Sequence, residues 1–101
     1  MNLDALIREA IQGSTSEKPQ DLVGILYHID SRMKLCPTHE ELVGALQRLS
    51  ESGAIAEVAR HKFYETKGVT GSAFSGLTLE EHRSADAQYR KWFWKTYGAK
   101  P

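Results

Sequence analysis

The apolar positions of this chain recur at helical spacing in four places, and each run is bounded by residues that start or stop helices. Leu3, Leu6, Ile7, Ala10 and Ile11 fall on one face and predict a short helix over residues 2–12. A turn-forming stretch, Gly13 to Pro19, separates it from a second stripe of Leu22, Ile25, Leu26, Ile29 and Met33. That stripe predicts a helix over 21–33 with Asp21 as its N-cap, ended before Pro37 because a proline disfavours helical geometry in the residue before it. Thr38 and Glu41 then have the T-x-x-E spacing of a capping box, and Leu42, Ala45, Leu46 and Leu49 line one face of the helix they open. Gly53 fits the left-handed position that closes a helix.

After Gly53 the period changes. Residues 54–59 and 63–66 predict two short strands around Arg60-His61-Lys62, with Ile55, Val58 and Phe63 facing inward. Residues 67–76, KGVTGSAFSG, have the composition of a flexible linker. Thr78 and Glu81 repeat the capping-box spacing and open a last helix that runs to about Tyr97. On a helical wheel Ala85, Tyr89, Trp92, Phe93 and Thr96 share the docking face, which turns Trp94 to solvent beside Lys91 and Ala87. A large aromatic in that setting marks a contact surface, so Trp94, Lys91 and Ala87 are the candidate interaction residues. The simplest contact is a homodimer through the C-terminal helices.

The run from Pro37-Thr38-His39-Glu40-Glu41-Leu42-Val43 to Leu49-Ser50-Glu51-Ser52-Gly53-Ala54-Ile55 resembles the winged helix-turn-helix family, in which a helix closes on a leucine, polar residues, glycine and isoleucine. Tyr64-Glu65-Thr66-Lys67-Gly68 resembles the exit from the family's wing. The resemblance covers about residues 21–68. It implies a single α+β, mostly helical domain over 1–101: a three-helix core, a two-stranded wing, a linker at 68–76 and an added helix at 78–97. It also implies a mode of DNA binding, with one helix in the major groove and the wing on the backbone. The contacts carried over are Gln47, Arg48, Arg60, His61, Lys62 and Lys67. The exposed face of that helix would be Glu40, Gly44, Gln47, Arg48 and Glu51, which sets two carboxylates against one cation. This balance favours a protein-interaction module, with a DNA-binding transcriptional regulator as the alternative.

Charge sharpens that choice. The chain has 13 basic and 13 acidic side chains. Residues 1–57 hold nine acids and five bases, and residues 58–101 hold four acids and eight bases, so only the C-terminal part offers the positive charge that replaces phosphate counterions.

Chemistry is sparse. Cys36-x-x-His39 has the spacing of two zinc ligands, but no second Cys/His pair accompanies it, so no metal site is assigned. The glycine-rich 68–76 segment lacks the Gly-Lys-Ser/Thr ending of a phosphate loop. Neither Cys36 nor any serine sits in a nucleophile motif. The chain reads as a non-enzyme without cofactor or small-molecule substrate. No apolar run approaches the roughly 20 residues of a membrane span. The N-terminus lacks the pattern of a signal peptide, and a lone cysteine suits a reducing compartment, so a small bacterial-type cytoplasmic protein is expected.

Overall fold

The computed structural model describes residues 2–34, 36–66 and 71–98. The elements run α1 (Leu3–Ile11), β1 (Gln20–Asp21), α2 (Leu22–Met33), α3 (His39–Glu51), β2 (Ile55–Ala59), β3 (Lys62–Glu65) and α4 (Leu79–Tyr97). Each helix begins where a side chain can take an orphan backbone N–H. Asn2 accepts from Ala5 at 2.8 Å, and Asp21 accepts from Gly24 at 2.8 Å. Thr38 with Glu41, and Thr78 with Glu81, form two complete capping boxes. The end of α3 is equally local. Gly53 takes φ +80°, its N–H donates to Ser50 O at 3.2 Å, and the N–H of Ala54 donates to Leu49 O at 3.0 Å. This is a Schellman stop, which a residue with a Cβ fills only under strain.

The apolar stripes of α1, α2 and α3 meet in one core. Leu6, Ile7, Ile11, Ile25, Leu26, Ile29, Leu42, Leu46, Ile55 and Phe63 are its fully buried large side chains. Against this core lies an antiparallel sheet of order β1-β3-β2. The architecture is α+β, mostly helical and winged-helix-like, with α4 added. The sequence predicted a two-stranded wing, and the sheet has a third strand, Gln20–Asp21, paired with Phe63 and Lys62. Two polar residues carry no strand signal of their own; they pair because the chain enters α2 alongside β3.

Three further expectations are corrected. Val58 is not inward but 45% exposed, because the register slips between Glu57 and Ala59 and the irregularity turns its side chain out. Met33, at the end of its stripe, is 38% exposed. Residues 71–76, expected as part of a loose linker, are tied to the body of the domain. Ser72 donates its N–H to Ser50 O and its hydroxyl to Ile55 O, at 2.9 and 3.2 Å. Ser75 donates from backbone and side chain to the Glu57 carboxylate at 2.8 Å each. Phe74 packs on Phe63. A Cβ at Gly71 would collide with the Glu51 carbonyl, so this strap passes the end of α3 only as glycine. The first part of the expected linker, 67–70, lies outside the described residues.

Candidate interaction surfaces

The first surface is the one the resemblance assigns to DNA. Arg48 lies on the exposed flank of α3, yet its guanidinium forks onto Asp4 of α1, with Nε to Oδ2 at 3.0 Å and Nη2 to Oδ1 at 2.8 Å. That contact holds the Asp4 carboxyl below its usual range. Gln47 donates to Glu51 at 2.8 Å, one turn along the same helix. At the tip of the wing, Arg60 forks onto Glu81 of α4 at 2.7 and 2.6 Å. Glu81 is thereby lowered from 4.5 to about 2, first by Arg60 and then by the backbone N–H of Thr78 that the same carboxylate caps. His61 adopts φ +62° at the turn, receives support from Glu57 through its own N–H at 2.6 Å, and donates Nε2–H to Gly76 O at 3.0 Å. The carbonyl can only accept, so the contact fixes this tautomer. Lys62 is exposed and in no ion pair among the described residues. Lys67 lies outside them.

The structure therefore separates the candidate DNA contacts rather than gathering them. Arg48 serves the α1–α3 junction, and Arg60 and His61 serve the wing–α4 junction. Sequence reasoning missed both acidic partners, because Asp4 is 44 positions from Arg48 and Glu81 is 21 from Arg60.

The second surface is the C-terminal part of α4. This helix crosses the outer side of α2, held by buried Ala85 and Tyr89. The Tyr89 hydroxyl donates to Asp30 of α2 at 2.5 Å. Burial, and then this carboxylate, push the phenol pKa well up. Beyond Tyr89 the helix outruns the core and carries a cluster of aromatic rings. Tyr27 of α2 meets Trp92 edge to face at 5.1 Å, and its hydroxyl lies 3.2 Å from that of Tyr97. Phe93 packs against Tyr89, Trp94 and Tyr97.

The two tryptophans are placed differently from the wheel. Trp92, expected to dock, is 41% exposed, and Tyr97 is 54% exposed. Trp94, expected to face solvent, is half-buried and sits edge to face on Phe93 at 5.4 Å. The physical reason is the crossing. The apolar support under α4 narrows past Tyr89, so Trp92 covers only the rim of α2 at Tyr27, while the long indole of Trp94 folds sideways into an open cleft of about 290 Å³ with Asp30, Cys36, Tyr89, Arg90 and Phe93. Ala87 and Lys91 remain on the fully exposed side. No acidic residue occurs between 87 and 98, and neither Lys91 nor Lys95 is in an ion pair among the described residues.

The remaining chemistry does not converge. Cys36 donates weakly to Asp86 at 3.7 Å, and burial with the nearby Asp86 and Asp30 raises its thiol pKa, which works against a nucleophilic thiolate. His39 turns the other way, donating Nε2–H to Leu77 O at 2.6 Å and lying 5.7 Å from the ring of His82. The described residues contain no group of three or more His, Cys, Asp or Glu arranged to hold a metal ion. Nor is any described helix long and apolar enough to cross a membrane. No family model, curated protein or solved structure is similar enough to this chain to count as a match.

Proposed function

We propose that this chain is a non-catalytic interaction module of the winged-helix type that acts through protein–protein contacts made by the aromatic end of α4, most simply with a second copy of itself. One observation carries the reading. The arginines that a DNA-binding winged helix would present are paired at the surface with Asp4 and Glu81, whereas α4 leaves Trp92, Tyr97 and part of Trp94 uncovered. Binding phosphates through Arg48 or Arg60 would require breaking a bidentate pair for each arginine engaged, and the face of α3 would still bring Glu40 and Glu51 towards the duplex. Contact through α4 breaks nothing and covers aromatic surface, the kind of side chain that dominates interface energetics. The lone cysteine fits a reducing, cytoplasmic setting for this activity.

The alternative, a DNA-binding regulator, retains Lys62 as an exposed cation in no ion pair among the described residues. Titration with generic duplex DNA at low and moderate salt separates the two readings. The interaction module gives no measurable binding at either salt. Affinity that falls steeply as salt rises would establish the alternative. In size-exclusion light scattering, Trp94→Ala lowers the apparent mass while the circular dichroism stays unchanged. A wild-type chain indifferent to substitution at Trp92, Trp94 and Tyr97 in every association assay would remove the proposal.

A further inference from the structure

The surface around Trp92 has a surplus of bases. Lys91 and Lys95 flank it on α4, and beside the cleft that Trp92 forms with Val23, Gly24 and Tyr27 stand Asp21 and its strand partner Lys62. The three lysines are exposed and in no ion pair among the described residues. The neighbouring Arg60–Glu81 pair is neutral, so one carboxylate stands against three cations. On the far flank of α4, Arg83 adds to the same sign and Arg90 is balanced by Asp86. Two such ends brought together would repel each other.

The outward face of α3 has the opposite surplus. This helix carries Glu40, Glu41 and Glu51 against one arginine, Arg48, which Asp4 already pairs. Glu40 and Glu51 are exposed, in no ion pair among the described residues, and about 16 Å apart at 1.5 Å per residue. Between them on the same face stands Gly44. Glycine destabilises a helix interior relative to alanine, and a Cβ at this position would meet only the flexible end of Arg48. Packing within the chain therefore does not account for the missing side chain. Its absence leaves a shallow place where a flat ring can lie against the helix.

We infer that the aromatic end of α4 docks on the acidic face of α3 of a second copy, with Trp92 over Gly44. Lys91 and Lys95, to either side of Trp92 along α4, then reach Glu40 and Glu51, to either side of Gly44 along α3. Tyr97, whose ring stands 6.0 Å from that of Trp92, extends the apolar centre of the contact. The arrangement has an aromatic anchor inside and charged groups at the rim, as protein interfaces do. The carboxylates that weigh against a duplex on α3 are thus the ones that attract the basic end of α4. Each protomer carries both halves of the contact, so it is made twice across a two-fold axis or head to tail in a chain, and the mass tells the two apart.

This inference rests on the proposed function and names the surface that the aromatic end meets. The test uses the full chain in four forms: wild type, Trp92→Ala, Glu40→Lys with Glu51→Lys, and Lys91→Glu with Lys95→Glu. Circular dichroism confirms the fold of each, and where a double variant loses it, Glu51→Lys or Lys91→Glu alone takes its place. Each double variant sets like charges against each other, and Trp92→Ala removes the anchor. Each therefore dissociates at least about tenfold more readily than wild type in light scattering. Mixed together, the two double variants recover an association within a few-fold of wild type, since each reversed end meets a reversed face and each native end a native face. A mixture that stays as dissociated as its components overturns the docking. So does a wild type that remains monomeric at millimolar concentration, whether or not it binds phosphatidylserine vesicles or poly(U) RNA through Lys91 and Lys95, although contact with a different protein through the aromatic end would survive a monomer. Association that ignores both charge reversals but is lost in Trp92→Ala overturns the docking on α3 and keeps the proposed self-association.

Discussion

Tyr89 joins α4 to the rest of the domain, and its hydroxyl can be removed without removing its ring. The residue is 4% exposed and its ring packs near Tyr27, Trp92 and Phe93, while the hydroxyl donates to Asp30 at 2.5 Å. A hydrogen bond to a charged acceptor contributes about 1.5–3 kcal/mol. Tyr89→Phe therefore costs about that much, against a total of roughly 5–15 kcal/mol for a domain of this size. In a thermal melt this is a drop of roughly 6–24 °C at 4–8 °C per kcal/mol. Tyr89→Ala also deletes the ring and costs more, about 3–5 kcal/mol for the lost aromatic packing alone. The decisive measurement is a double-mutant cycle in urea. In an Asp30→Ala background the Tyr89→Phe change has no carboxylate to lose, and its cost falls below about 0.5 kcal/mol. Equal costs in the two backgrounds would refute the reasoning, since the hydroxyl would then contribute nothing through Asp30.

Two changes on α3 should move stability in opposite directions in denaturant melts. Leu46→Ala, at a position with no exposure, costs about 2–5 kcal/mol. Ser50→Ala raises stability by about 1 kcal/mol, because the Ser50 hydroxyl is fully buried with no hydrogen-bond partner among the described residues and alanine is the better helix former; a loss on this substitution would mean that the hydroxyl has a partner. Acid should destabilise the protein in two steps. His82 has its pKa lowered by burial and then by the neighbouring His39, with Asp86 opposing, so it folds neutral. The unfolded chain takes up that proton first, so stability is whole above the ordinary histidine value of about 6.5 and falls as the pH drops below it towards the depressed folded value. His82→Gln removes this first step from the pH–stability curve. The second step belongs to the lowered carboxyls, Asp4 and above all Glu81, whose contribution is present above 4.5 and is lost between there and about 2.

What the sequence made legible was local. Both capping boxes, the Gly53 stop and the apolar faces of α1 to α3 are set by residues within a turn of one another, and each stands where its spacing puts it. Features that depend on partners distant in sequence were hidden. The strand Gln20–Asp21 exists through Phe63 and Lys62, and the strap at 71–76 is ordered by Ser50, Ile55 and Glu57. The aromatic end of α4 was visible as composition, but the exposure of Trp92 over Trp94 depends on the angle at which α4 crosses α2, which no helical wheel contains. The charge of Arg48 and Arg60 was legible and their pairing with Asp4 and Glu81 was not, because these acids lie on other elements.

Glu81 has a consequence of its own. Its carboxylate holds the wing through Arg60 and also accepts the Thr78 N–H that starts α4. An anion arriving at the wing tip would have to win Arg60 from the carboxylate that helps anchor α4. Occupancy of the wing and anchoring of α4 are thus thermodynamically antagonistic: whatever the first gains, the second loses by the same factor, and the relation runs equally in reverse.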